Sequence, residues 1–387
     1  MNEILKLLNA PTAEERLSNL QSLLHNETQR PAVSDVFVNN HIHTTYSFSP
    51  YSPTAAVYCA REATLPTAGI MDHDSMAGAW EFIRAGEIAG VATTVGVECR
   101  VRMSGTPIED RFINNTDQRG IAYMALHGVP HGKIDAVQKH FAPLREKRND
   151  RTRKMADNIN ALLGDCGITV RFDEDILPIS QYADGGSVTE RHLIFALCHK
   201  IIALCGRERT AQFVEQTLGI PLSVKQKNQL TDMDNPYFEY DLLGVLKTAF
   251  VEKIYVPAQE ECMHVSELAK LAQETDALLC YAYLGDVQDS VTGDKRSGKF
   301  EDAYLDELFA VLKQYHVDAV TYMPSRNTLS QIQRIRRMCA ENGFLQISGE
   351  DINSPRQKFI CPQLAMPEFR HLVDATWSLI EREKARS

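Results

Sequence analysis

The chain has 387 residues, with 41 Lys+Arg against 51 Asp+Glu and a formal net charge of −10. With 44% hydrophobic and 24% charged residues it has the composition of a soluble globular protein and is too apolar for a disordered one. The length exceeds the roughly 250–300 residues at which a single core stops growing, and the acidic balance disfavours nucleic acid or a membrane surface as a general partner, leaving small anions that meet local positive charge.

Residues 1–33 read as an N-terminal helical hairpin: Ile4, Leu7 and Leu8 share a face, Pro11 breaks the pattern, and Leu17, Leu20 and Leu24 resume it. From Asp35 short apolar runs alternate with amphipathic ones. A strand is expected over 35–43, a helix from the N-cap Ser52 with Pro53 in its first turn, a strand over 67–73, a helix over 77–90 and strands over 92–101 and 121–129. The alternation returns with a helix over 265–275, a strand over 277–284, a helix over 301–316, a strand over 317–324, a helix over 328–343 and a strand over 344–351. Such alternation implies βαβ units and a parallel sheet or barrel. Between them lies a helix-rich, charged stretch without strands. The expected organisation is therefore one barrel, 34–131 and 253–387, interrupted by a helical insertion over 132–252 and ending in a C-terminal helix.

Nine scattered cysteines without a Cys-x-x-Cys pair read as reduced thiols. The N-terminal sequence shows no signal-peptide core, and the most apolar stretch, 192–206, is interrupted by His199 and Lys200. A cytoplasmic location is expected.

The chemistry-bearing residues gather at strand ends. His41 and His43 are two apart in a strand, so both imidazoles can reach one metal ion. His73 follows the second strand in Met71-Asp72-His73-Asp74, Glu98 lies in VGVECRV, His127 closes YMALHGV, and Asp351 follows the last strand. The carboxyl ends of parallel strands are where a βα barrel carries its active site.

With these residues in place, the sequence resembles the polymerase-and-histidinol-phosphatase (PHP) domain family over about 35–128 and 263–355. The marks are HIHTTYS (41–47), IMDHDSMAG (70–78), VGVE (95–98), ALH (125–127), VTERHLIFAL (188–197), VDAVTYMPSRNT (317–328) and SGED (348–351). The resemblance implies an α/β fold, a distorted (β/α)7 barrel, with divalent metal ions (Zn, Mn or Fe) at its mouth. It implies one metal on His41, His43, Glu98 and Asp351, with Glu98 bridging to a second that His127 helps to hold. Tyr283 stands where the family has a further histidine. For a third metal His73 is kept, while Phe48 and Asn353 replace the other two ligands. One metal is therefore expected, a second is compatible with the set, and a third is not.

The resemblance further implies a metal-dependent phosphoesterase in which metal-bound hydroxide attacks a small phosphate ester. Arg191 and His192, at the start of a helix, and Arg326, after a strand, are the expected phosphate contacts. Tyr283 and Asn353 are candidate donors to substrate or water. The basic run at 145–154 contains acids and few aromatics and reads as a solvated helix face. Two alternatives stand beside the phosphoesterase: a degenerate barrel that binds metal or a phosphorylated ligand without turnover, and hydrolysis of another bond such as an amide.

Overall fold

The computed structural model describes residues 3–28, 31–286 and 300–386. Its centre is a curled seven-stranded sheet in a mixed α/β fold, a distorted barrel. The strands are β1 (Thr67–His73), β2 (Ala92–Arg102), β3 (Ile121–His127), β4 (Met263–His264), β5 (Leu278–Ala282), β6 (Ala319–Tyr322) and β7 (Leu345–Ser348), in the order β1-β2-β3-β5-β6-β7 with β4 on β2.

Two expectations change here. The predicted first strand shrinks to a single residue, Ile42, bridged in parallel to Ile70 on one side and Ile352 on the other. Ile42 N–H donates to Gly69 O and His43 N–H to Ile352 O, both at 2.9 Å. The edges of the sheet therefore meet across the His41–His43 segment. Flanking residues bend away because Asn39 and Asn40 use side chains as well as backbone: Asn40 Nδ2 donates to Ser348 O at 2.7 Å, and Asn39 Oδ1 accepts from His41 N–H at 2.9 Å.

The sheet is also not all parallel. β3 runs antiparallel to both β2 and β5. A parallel return needs a crossover of a dozen or more residues, usually helical. The described segment between β2 and β3 contains no helix, so the chain doubles back beside β2.

The helices are α1 (Glu3–Leu8), α2 (Ala13–His25), α3 (Pro53–Glu62), α4 (Ala79–Ala89), α5 (Ile134–Leu163), α6 (Glu190–Cys205), α7 (Arg207–Gln216), α8 (Val224–Thr231), α9 (Phe238–Ile254), α10 (Val265–Thr275), α11 (Leu305–Gln314), α12 (Leu329–Asn342) and α13 (Arg370–Ala385). Ser52 caps α3 as expected, with its side chain accepting from Ala55 N–H. The two N-terminal helices are tied to the barrel by a buried ion pair: Arg16 Nη2 lies 2.6 Å from Glu81 Oε2 on α4.

Helices α5–α9 build a hydrophobic core of their own from residues such as Ile159, Leu193, Leu197, Leu242 and Leu246, and the barrel residue Phe48 inserts into it. A smaller cluster, Met71, Ala125, Cys280, Ala319, Ile347 and Leu379, fills the barrel around β1, β3, β5, β6 and β7. Leu379 comes from α13, which is fixed by the buried Glu383: its Oε2 accepts from Thr94 Oγ1 at 2.7 Å and Val95 N–H at 3.0 Å. Among the described residues no helix is long and apolar enough to cross a membrane.

Candidate metal centre and its cavity

His41 and His43 flank the doubly bridged Ile42, so both rings project to the same side, with their Nε2 atoms 3.2 Å apart. Glu98, on β2, brings Oε2 to 3.7 Å from His41 Nε2 and 3.9 Å from His43 Nε2. The coordinating atoms of these three residues all lie within 4.8 Å of one another. Asp351, just beyond β7, places Oδ1 3.3 Å from His43 Nε2. His73 pairs in register with Glu98 across β1 and β2, with its Nδ1 3.0 Å from Glu98 Oε2. Four of the sequence-predicted ligands, with His73 beside them, therefore converge.

His127 approaches that cluster from a different level, near enough for His41 and Glu98 to act on its imidazole. Because β3 is antiparallel, Ala125 is the residue opposite Glu98, and His127 lies deeper, paired with Leu278 at the start of β5. The expectation that it sits at the same strand end as the others is thus corrected. It is fully buried, burial brings its imidazole down to about 3, and no hydrogen bond reaches its Nε2 among the described residues.

The electrostatics follow from crowding acids and imidazoles out of water. Burial alone would raise the Glu98 carboxyl, but His41 and His73 hold it well below the ordinary carboxylate range. Asp351 is likewise lowered against its burial by His43. Burial works against the charged form of His41, yet neighbouring Glu98 and Asp351 carry it above its usual value. Burial and nearby His43 lower His73.

A layer of residues that sequence reasoning did not single out holds these groups. Ser47 Oγ donates to Asp72 Oδ1 at 2.6 Å and lies 3.2 Å from His43 Nδ1. A hydroxyl has one proton, so the serine oxygen accepts from His43 Nδ1–H, which leaves the Nε2 lone pair facing the cluster. Asp72 also accepts from Thr44 N–H at 2.7 Å and Thr44 Oγ1 at 2.6 Å. Asp72 stands in the same Met-Asp-His-Asp run as His73. A carboxylate at the end of a buried strand next to a candidate ligand was the available signal.

The other expected contacts divide. Asn353 Nδ2 donates to Asp351 Oδ1 at 2.7 Å, and Arg191 Nη1 donates to Asn353 Oδ1 at 2.6 Å, so these two residues form a chain onto a ligand. Arg326 lines the same cavity, with Nε donating to Leu284 O at 2.9 Å.

Tyr283 and His192 were expected to contact substrate but are not among the cavity-lining residues. The buried Tyr283 hydroxyl donates to Asp302 Oδ1 at 2.6 Å, and burial together with that hydrogen bond pushes it far up, so it is no phenolate ligand. His192 accepts from Thr189 N–H at 3.0 Å as part of the α6 capping box and packs edge-on against Phe48, with ring centroids 5.0 Å apart. Phe48 itself has φ of 92°, a conformation costly for a residue with a side chain, while its ring is locked among the lobe helices.

Above the cluster opens a cavity of about 700 Å³ lined by His43, His73, Glu98 and Asp351 below and by Arg100, Arg148, Arg191, Arg326 and Lys247 on its walls. The expected solvated face of 145–154 exists at Glu146, Lys147, Asp150, Arg153 and Lys154, but the other side is corrected: Arg145, Arg148 and Arg151 are spaced three apart on α5 and are all buried. Arg148 pairs with Asp74, and Arg151 Nη1 lies 2.7 Å from Glu190 Oε1. Arg100 pairs with Glu261.

A protein-family comparison matches the PHP domain over residues 39–318. The chain belongs to the PHP domain family. No curated protein matches it in sequence. Among solved structures it is similar to a provisionally named metal-dependent phosphoesterase from Bifidobacterium adolescentis, with TM-score 0.56 and 17% identity, covering 92% of this chain and 98% of that one. It is also similar to an amidohydrolase from Chromobacterium violaceum carrying sulfate and no metal, with TM-score 0.54 and 14% identity, covering 87% and 96%. At these identities the likeness establishes a shared fold.

Proposed function

We propose that this PHP protein is a metal-dependent hydrolase of a small phosphate ester. The observation that carries the reading is the convergence of His41, His43 and Glu98 within 4.8 Å, joined by Asp351, on the floor of an arginine-walled cavity. The donor set fits a divalent ion: two imidazole nitrogens meet at 3.2 Å with carboxylates beside them, and zinc, manganese and iron all accept such ligands. One ion is assigned to His41, His43, Glu98 and Asp351. The buried Nε2 of His127, without a hydrogen-bond partner among the described residues, and His73 beside Glu98 are the groups that could serve a second. When bound, such an ion supplies Lewis-acid charge and activates water.

The rest is work for the chain's own side chains. Asp72 and Ser47 keep His43 in the tautomer that presents Nε2. Asn353, itself held by Arg191, orients Asp351. Arg191 and Arg326 are assigned to the phosphoryl oxygens, because a planar guanidinium matches them bidentately. These two guanidiniums, in a cavity that also carries Asp117, Glu190 and Glu252, are the cationic contacts through which a chain of net charge −10 would receive an anionic substrate. The nine cysteines are all free, which supports a reducing, cytoplasmic setting.

A second reading, a barrel that binds metal or a phosphorylated ligand without turnover, is favoured by two features. The Phe48 ring is packed into the helical lobe, and Tyr283 is turned onto Asp302. Metal analysis of the purified protein, followed by a panel of phosphomonoesters with manganese, iron or zinc, separates the readings. The hydrolase reading expects at least one metal per chain and turnover that His41→Ala and Asp351→Ala abolish. Metal binding without turnover favours the second reading, and activity that survives both substitutions misplaces the site.

A further inference from the structure

Behind the cavity wall lies a buried acid that touches neither the histidine cluster nor the cavity. Glu301 precedes the short helical turn Asp302–Tyr304 and is 0% exposed. Its Oε1 accepts from Leu284 N–H at 2.8 Å and Gly285 N–H at 2.5 Å, and its Oε2 accepts from the Tyr281 hydroxyl. Burying a carboxyl is costly unless donors converge on it, and here two backbone amides and a phenol do.

The amides it grips belong to the turn that follows β5. On the far side of the same turn, Leu284 O accepts from Arg326 Nε at 2.9 Å and from Asn327 Nδ2 at 2.7 Å. The turn admits little alternative geometry. Gly285 has φ of 69°, and a Cβ there would meet Asn327 Nδ2 at 2.5 Å and Tyr283 Oη at 2.7 Å. A guanidinium is planar, so fixing Nε fixes the plane in which its remaining donors point.

We propose that Glu301 is a positioning residue that aims Arg326 at an anionic group in the cavity, acting through the Leu284–Gly285 turn. The inference rests on the phosphate-ester reading only for the identity of the anion. Glu301 acts on anion affinity and leaves the metal cluster alone, because its side-chain hydrogen bonds end on residues 281, 284 and 285 and none is a ligand candidate.

The test is a double-mutant cycle read by calorimetric titration of inorganic phosphate into the metal-loaded, full-length protein. Glu301→Ala and Arg326→Ala should each weaken phosphate binding about tenfold, the loss expected for one charge-assisted hydrogen bond. The double variant should bind no more weakly than Arg326→Ala alone, and metal content should match the wild type throughout. Glu301→Gln, which keeps an acceptor for both amides, should restore affinity. If Glu301→Ala does not fold, Glu301→Asp, which withdraws the acid by one methylene, replaces it in the cycle.

Multiplying losses in the double variant, wild-type affinity in the single Glu301 variant, or a wild type that ignores phosphate would each overturn the inference. A wild type that binds phosphate but hydrolyses no phosphomonoester counts against the hydrolase reading and leaves the cycle decisive.

Discussion

The barrel and the helical lobe each bury an apolar core, but they arrange their polar residues differently. In the barrel, His41, His43, Glu98 and Asp351 come from separate parts of the chain and meet at one mouth, so their geometry depends on sheet register. In the lobe, the interior of α6 is plainly apolar at Leu193, Ile194, Leu197 and Ile201. Its charged contribution to the cavity comes from three helices: Arg148 on α5, Glu190 and Arg191 on α6, and Lys247 and Glu252 on α9. The difference separates two dependencies: the candidate metal cluster follows the closure of the sheet, whereas the lobe's share of the cavity charge follows the docking of three helices.

Removing a ligand should have the largest effect. His43→Ala or Asp351→Ala is expected to lower activity by more than ~100-fold and to reduce metal content, because even outer partners of a ligand are worth about 10–100-fold. Elemental analysis beside a rate assay checks it. Leu197→Ala, in the lobe core at 0% exposure, should cost about 2–5 kcal/mol in urea unfolding while the folded protein keeps its metal. Loss of metal in that variant would erase the distinction between the two regions.

Asp72→Asn should leave the fold intact and weaken metal binding about tenfold or more, through the freed His43 ring, as measured by competition with a chelator. Glu190 gives a pH signature for the docking face. Burial alone would raise it, but Arg151 and Arg100 bring its carboxyl down to about 2. Its contribution is therefore complete above the ordinary value of 4.5 and is lost as the pH falls from there toward 2. Melting temperatures of Glu190→Gln should be lower than wild type near neutrality and converge with it in acid. Smallest of all, Tyr283→Phe should change turnover and metal content by less than about twofold, since it removes one hydrogen bond to Asp302 outside the cavity.

Much of this was legible beforehand because it rests on short-range pattern. The two histidines around Ile42, the Ser52 cap with Pro53, and the alternation that yields β1, α4 and β2 are local features with local causes. What escaped has a non-local cause. The reversal of β3 depends on the missing crossover, and with it went the depth of His127. Tyr283 and His192 looked available in sequence because their partners, Asp302 and Thr189, are set by a turn and a cap. The arginines of α5 were hidden in a run of mixed charge. Their spacing of three residues was visible, but which face of the helix meets the barrel was not.

The bridging of Ile42 to both Ile70 and Ile352 also bears on the order in which the site can come into being during synthesis. His41, His43, His73 and Glu98 all leave the ribosome early, yet the segment carrying the first two is pinned on one side by chain made near the end. Asn40 reaches Ser348, 308 residues later, through its side chain. An emerging chain that lacks the last strand would hold the histidines on a tether fixed at one edge only, and Asp351 would not yet exist to join them. The candidate centre is thus a late-completed feature of an early-encoded motif, its ligand set whole only once the last strand is in place.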